Sequence, residues 1–108
     1  MSAKPVIPRQ RALEDVDAAI DFYANEAGAY VALGFVDALE SAYHFVAENA
    51  SAGSPRWAYE LGLPGLRSWP LKGYPWLVFY LEQDGWIDVW RVLHAKRDIP
   101  AWLAEPEA

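Results

Sequence analysis

Side-chain chemistry needs a proton carrier, a nucleophile or a metal cage, and this chain offers few of each. Its only histidines are His44 and His94. Neither has a neighbour at metal-ligand spacing, and two isolated histidines do not make a zinc site. The chain has no cysteine, which excludes disulfides and thiolate metal sites. Ser41, Ser51, Ser54 and Ser68 lack a nucleophile-elbow context, and no glycine-rich phosphate loop follows a strand. The densest chemistry is Arg91-Val92-Leu93-His94-Ala95-Lys96-Arg97-Asp98. Here an imidazole, whose ordinary pKa of about 6.5 suits proton transfer, stands beside cations. Where a strand ends, such a cluster can hold an anion.

Strand parity places Ile87, Val89, Arg91 and Leu93 on one face, and Trp86, Asp88, Trp90, Val92 and His94 on the other. Arg91 therefore sits among apolar neighbours, where an arginine is almost never buried unpaired. It either forms an internal ion pair with an acid from the helices or the loop, or lines an exposed concave sheet surface. His44, on the second helix, reads as an exposed or packed bystander, and the many carboxylates of the first helices as a solvated face.

The elements that position this segment can be read from periodicity. Val6 and Ile7, between Pro5 and Pro8, allow a short edge strand. From Ala12 on, Leu13, Val16, Ala19, Ile20 and Tyr23 recur at helical spacing. The acids Glu14, Asp15 and Asp17 suit the positive end of that helix, and Gly28 stops it. A second helix carries Phe35, Ala38, Leu39, Ala42, Phe45 and Val46 on one stripe and ends near Asn49. Gly34 inside it costs about 1 kcal/mol relative to alanine, so close packing is expected there. The short link makes the two helices an antiparallel hairpin.

Residues 50 to 65 read as a loop. Three extended runs follow. Leu66 to Leu71 contains Pro70 and so lies at an edge or carries a bulge. Trp76 to Leu81 is apolar throughout, as in a central strand. Trp86 to Leu93 is the third, reached through the hairpin signal Asp84-Gly85. A short helix around Ala101 to Glu105 starts after Ile99-Pro100. The reading is an α+β fold of one domain over residues 1–108: a strand, a helical hairpin, a three-stranded antiparallel meander and a short C-terminal helix.

The 108 residues are 54% hydrophobic and 15% aromatic, which argues against disorder and for a single modest core. The net charge of −6 disfavours strong nucleic-acid binding. That charge is uneven. Residues 12 to 50 hold eight acids and no lysine or arginine, whereas residues 51 to 97 hold six bases against four acids. No apolar run approaches the roughly 18 residues of a membrane helix. Met1 to Arg11 lacks the apolar stretch of a secretory signal, so a cytoplasmic location is expected. Six tryptophans are many for this length. Most should be core; a few on an uncovered sheet face would mark a protein partner.

Three stretches resemble the ParE toxins of the RelE/ParE superfamily. They are Glu60-Leu61-Gly62-Leu63-Pro64-Gly65-Leu66-Arg67-Ser68-Trp69-Pro70-Leu71, Leu77-Val78-Phe79-Tyr80, and Asp88-Val89-Trp90 running on through His94 and Arg97 to Pro100. Phe22-Tyr23 and Phe35-Val36-Asp37-Ala38-Leu39-Glu40 extend the likeness into the hairpin. The resemblance implies a small cytoplasmic toxin that poisons DNA gyrase and uses no cofactor or metal. It also implies neutralisation by a ParD-type antitoxin, which dimerises through a ribbon-helix-helix domain and alone contacts operator DNA. On this reading the effector candidates are Arg91, His94, Lys96, Arg97 and Trp102. The antitoxin-binding candidates are Arg56, Leu66, Arg67 and Trp69, beside an apolar groove between the hairpin and the first meander strands.

The superfamily also contains ribosome-dependent mRNA endonucleases, which need a base, an acid and phosphate-holding cations on one open sheet face. The match to that set is thin. Arg67 remains of a basic pair, Pro75 and Trp76 replace an arginine after the Gly-Tyr turn, and Trp102 and Leu103 stand where a tyrosine is expected. An enzyme would have to use His94, Arg97 and Arg67, and these must then converge. A third possibility is a non-toxic homologue that only binds its antitoxin.

Overall fold

A single residue separates two long helices. The computed structural model describes residues 3–104, in which α1 (Gln10–Ala27) and α2 (Ala29–Glu48) meet at Gly28. Gly28 has φ +94°, a conformation that side chains disfavour. Ala12 and Ala19 of α1 share the core with Phe35, Leu39, Ala42 and Val46 of α2, with Val16, Ile20 and Tyr23 packed beside them. Ala12 shares the core stripe with Ala19, two turns on, and the expected Leu13, about 100° further round the helix, is 46% exposed. The packing expected at Gly34 is present. The Tyr74 hydroxyl lies where a Cβ would stand and donates to the Val31 carbonyl at 2.9 Å.

The sheet runs β1-β4-β3-β2, from β1 (Val6–Pro8), β2 (Arg67–Pro70), β3 (Trp76–Glu82) and β4 (Ile87–His94). The meander is antiparallel and β1 adds to β4 in parallel. Both prolines that limit pairing, Pro8 and Pro70, lie in edge strands, as the reading allowed. One irregularity matters. Phe79 pairs with Arg91, but Tyr80 pairs with Val89, so Trp90 is an extra residue on β4. The bulge offsets the simple alternation. Val92 joins Ile87 and Val89 on the helix side, while Trp90 packs with Leu93 on the other side. The expected sharing of a face by Trp90 and Val92 is thereby corrected.

That other face is not open. The stretch read as a loop contains a 3-10 turn (Ala50–Ala52) and a short helix α3 (Arg56–Leu61), which Gly62 ends at φ +63°. An exposed Arg56–Glu60 pair spans its one turn, but six residues are too few to hold a helix without packing. Trp57, Ala58 and Leu61 of α3 pack with α4 (Ile99–Leu103) over Leu66, Phe79 and Leu93. Asp98 caps α4 by accepting from the Ala101 N–H at 3.4 Å, and Pro100 sits in its first turn. Glu105, expected in this helix, lies outside the described residues. The sheet is thus covered on both faces by the chain itself, and the expectation of an uncovered face is overturned.

Two tyrosines are deep. The Tyr80 hydroxyl donates to the Ala50 carbonyl at 2.7 Å and accepts from the Gly53 N–H at 3.1 Å. The Tyr43 hydroxyl has no hydrogen-bond partner among the described residues. Burial, aided by the Asp15 charge, pushes its pKa up to about 12 from 10.0. The folded chain therefore keeps this proton where the unfolded chain has released it. The stabilisation is complete below pH 10 and is lost as pH rises toward 12, by about 1.4 kcal/mol per unit. Burial raises Tyr80 in the same direction. Tyr43→Phe leaves no orphaned hydroxyl and is expected to unfold at the same or higher urea concentration near neutrality. It should also lose less stability than the parent at about pH 11. An equal loss in both would show that Tyr43 is not the titrating group.

Candidate functional site

The helical repeat of α1 brings Glu14, Asp15, Ala18, Ala19 and Phe22 to one side of the helix. Facing them are Trp76 at the start of β3, Val92 and His94 at the end of β4, Lys96 and Arg97 in the turn that follows, and Trp102 of α4. The cleft between these walls measures about 520 Å³. His94 meets Trp76 edge to face, with ring centroids 5.3 Å apart. Its Nδ1 accepts from the Lys96 N–H at 3.1 Å, so the neutral ring carries its proton on Nε2. The Arg97 guanidinium lies 4.2 Å over the Trp102 ring, in cation–π range. Trp76 donates its indole N–H to the Tyr23 hydroxyl at 2.9 Å, which fixes that wall.

Beneath the cleft lies a buried ion pair. Arg91 Nε and Nη2 donate to the two Asp15 oxygens, each at 2.8 Å. Asp15 also accepts the Val92 N–H at 3.0 Å, and Arg91 Nη1 donates to the Trp102 carbonyl at 2.9 Å. The two side chains are 6% and 10% exposed. The two parallel bonds form the bidentate fork that an arginine–carboxylate pair favours. Arg91 is therefore a strut joining α1, β4 and α4, and the internal-pair reading of it holds. Asp15 was grouped with the solvated acids of the hairpin; it is instead the carboxylate that Arg91 requires.

The other sequence candidates divide. His94, Lys96, Arg97 and Trp102 converge on the cleft, with Arg91 below them. Arg67 does not. It pairs with Tyr80, four residues along β3 from Trp76, which pairs with His94. That offset is about 13 Å along the sheet, with two strand spacings of about 4.8 Å across it. Arg67 Nη1 donates to the Gly53 carbonyl at 2.7 Å. The three side chains that an endonuclease would need thus do not converge on one site.

Leu66 is fully buried in the second core cluster, so it cannot offer a surface to an antitoxin and its candidacy is withdrawn. Arg56 is exposed and its guanidinium lies 4.3 Å over the Trp57 ring. Trp69 is half-buried and stacks on Phe45 at 4.3 Å with the rings 17° from parallel. The pair lines a groove of about 360 Å³ between α2 and β2, with Ala38 and Ala42 on the helix and Leu71 beyond the strand. This is the apolar groove expected beside the hairpin. Among the described residues no cluster of histidine, aspartate or glutamate could hold a metal ion. No helix there is long and apolar enough to cross a membrane.

Comparisons with known proteins agree with this architecture. No curated protein matches the sequence significantly. Among solved structures, the chain is similar to one described as the chromosomal ParDE TA system from P. aeruginosa, with a TM-score of 0.72 and 22% identity. The likeness covers 87% of this chain and 98% of that one, and it concerns the fold. Residues 6–99 match the family described as ParE toxin of type II toxin-antitoxin system, parDE. The match runs from β1 to the start of α4 and takes in both walls of the cleft apart from Trp102. The chain belongs to the ParE toxin family of type II toxin–antitoxin systems.

Proposed function

We propose that this chain is a toxin that acts by binding DNA gyrase and trapping its cleavage complex, with the α1/β4/α4 cleft as the effector surface. The observation that carries this reading is the convergence of His94, Lys96, Arg97 and Trp102 on that cleft, while Arg67 lies elsewhere. Cations and a half-buried indole can bind and hold a partner; without Arg67 they lack the phosphate clamp of the endonuclease set. Arg91 contributes by holding α4 in place. A ParD-type antitoxin occupies the α2/β2 groove and neutralises the toxin, and operator DNA is contacted through the antitoxin alone. Both proteins work in the cytoplasm.

A supercoiling assay tests the gyrase step. Purified toxin is incubated with gyrase, ATP and relaxed plasmid, and the reaction is then denatured. Lost supercoiling with accumulating linear DNA, reversed by the antitoxin, is the expected result. Unaffected gyrase, from toxin shown to be folded, overturns it. Cleavage of ribosome-bound mRNA by the same preparation would then favour the endonuclease.

A further inference from the structure

We infer that the cleft between α1 and α4 takes an acidic protein segment anchored by an aromatic side chain. The inference rests on the cleft being the effector surface and names the chemistry of what docks there. Its walls are largely aromatic and aliphatic: Phe22, Ala18, Trp76, Val92 and Trp102. At about 520 Å³ it falls within the roughly 300–1,000 Å³ range of sites that enclose a ligand group. Phe22 is 56% exposed, which leaves part of one wall apolar and accessible in the free chain.

The charges at the cleft decide the sign of the occupant. Asp15 is consumed by Arg91. Glu14 turns back along its own helix, accepting from Gln10 at 3.3 Å and lying 3.9 Å from Arg11 Nε. Lys96 and Arg97 are exposed and form no ion pair among the described residues. The rim therefore offers two unneutralised cations above an apolar floor, which fits carboxylates flanking an aromatic anchor.

Nucleic acid is the weaker occupant. It would bring a chain of phosphates along α1 against the exposed Asp17, Asp21 and Glu26, in a molecule of net charge −6. The many exposed acids of the hairpin repel a polyanion over a long stretch. A short acidic segment needs only the two rim cations.

The probe is a synthetic acetylated and amidated peptide with one tryptophan between glutamates, titrated into full-length ¹⁵N-labelled toxin. Controls are the same peptide with lysines for glutamates and a short oligothymidylate. The acidic peptide is expected to shift the indole N–H signals of Trp76 and Trp102 but not that of Trp69. The lysine peptide is expected to bind less tightly. Reversing the rim with Lys96→Glu and Arg97→Glu should weaken the acidic peptide roughly tenfold, the order expected for two exposed ion pairs, and improve the lysine peptide. Tighter binding by oligothymidylate, or no shift at Trp76 and Trp102 with any peptide, overturns the inference. The supercoiling assay is independent of it. Gyrase poisoning by a toxin that ignores the acidic peptide sinks the docking chemistry alone, whereas peptide binding with unaffected gyrase sinks the gyrase reading alone.

Discussion

Asp15→Ala is expected to lower the unfolding free energy by about 3–5 kcal/mol, the cost of leaving a buried guanidinium without its carboxylate. The geometry explains why the effect should be large. Asp15 accepts three hydrogen bonds, two from Arg91 and one from the Val92 backbone. Arg91 reaches on to the Trp102 carbonyl, so the loss should also loosen α4. Domains of this size are stable by only about 5–15 kcal/mol, so the variant would approach unfolding at room temperature. Urea denaturation measures the loss. The companion experiment replaces both partners, Asp15→Leu with Arg91→Met. An apolar pair of similar volume leaves no charge stranded and should cost much less than the sum of the single changes. Costs that simply add would show that the pair is not coupled and that the strut is not the source of the stability.

This pair also shows how far the sequence could be read. The helical spacing that identified the core face of α1 includes Asp15, three residues after buried Ala12 and four before buried Ala19. An acid on that stripe, with a lone arginine in an apolar strand, carries the signal for an internal ion pair. Grouping all the hairpin's acids as one solvated face hid it. The strands, their order along the chain and the edge positions of the prolines followed from alternation and turn chemistry. The bulge at Trp90 did not, because an inserted residue leaves no mark in an apolar run; it appears only when β4 is laid against β3.

The same local limit explains the second face. Residues 50 to 65 are rich in glycine, serine and proline, which suggests a loop, yet Arg56–Leu61 is long enough for one and a half helical turns. Its helix matters only through packing, since Trp57, Ala58 and Leu61 are what cover Leu66, Phe79 and Leu93. Short helices owe their stability to such contacts more than to propensity. The site shows the complementary pattern. His94, Lys96, Arg97 and Trp102 lie close together in sequence, and their convergence was legible. The opposing wall comes from Ala18 and Phe22, some seventy residues earlier, and nothing local joins the two.

Trp69→Glu is expected to weaken antitoxin binding by at least about 30-fold, the effect of losing a tryptophan anchor worth about 2 kcal/mol or more. Trp69 lies on the edge strand β2 and stacks on Phe45, which is itself 37% exposed, so the two rings form the accessible wall of the groove. Small residues on α2, Ala38 and Ala42, four apart on one helix face, give that groove its depth. A glutamate there breaks the stacked wall and places a charge where the partner must bury apolar surface. Leu66, two residues before Ser68 in the same chain segment, cannot serve for the comparison. It is fully buried, and a charge there attacks the fold rather than the groove. Calorimetry with the antitoxin measures the affinity, and the thermal midpoint confirms that the variant is folded. The growth phenotype separates the two surfaces. Trp69→Glu should arrest cells even when antitoxin is co-expressed, because the effector cleft is intact while neutralisation is lost. Reversal of Lys96 and Arg97 should do the opposite, with antitoxin still bound and no arrest. Loss of both properties from either change would mean that the antitoxin and the target share one surface, and that the groove and the cleft are not separate sites.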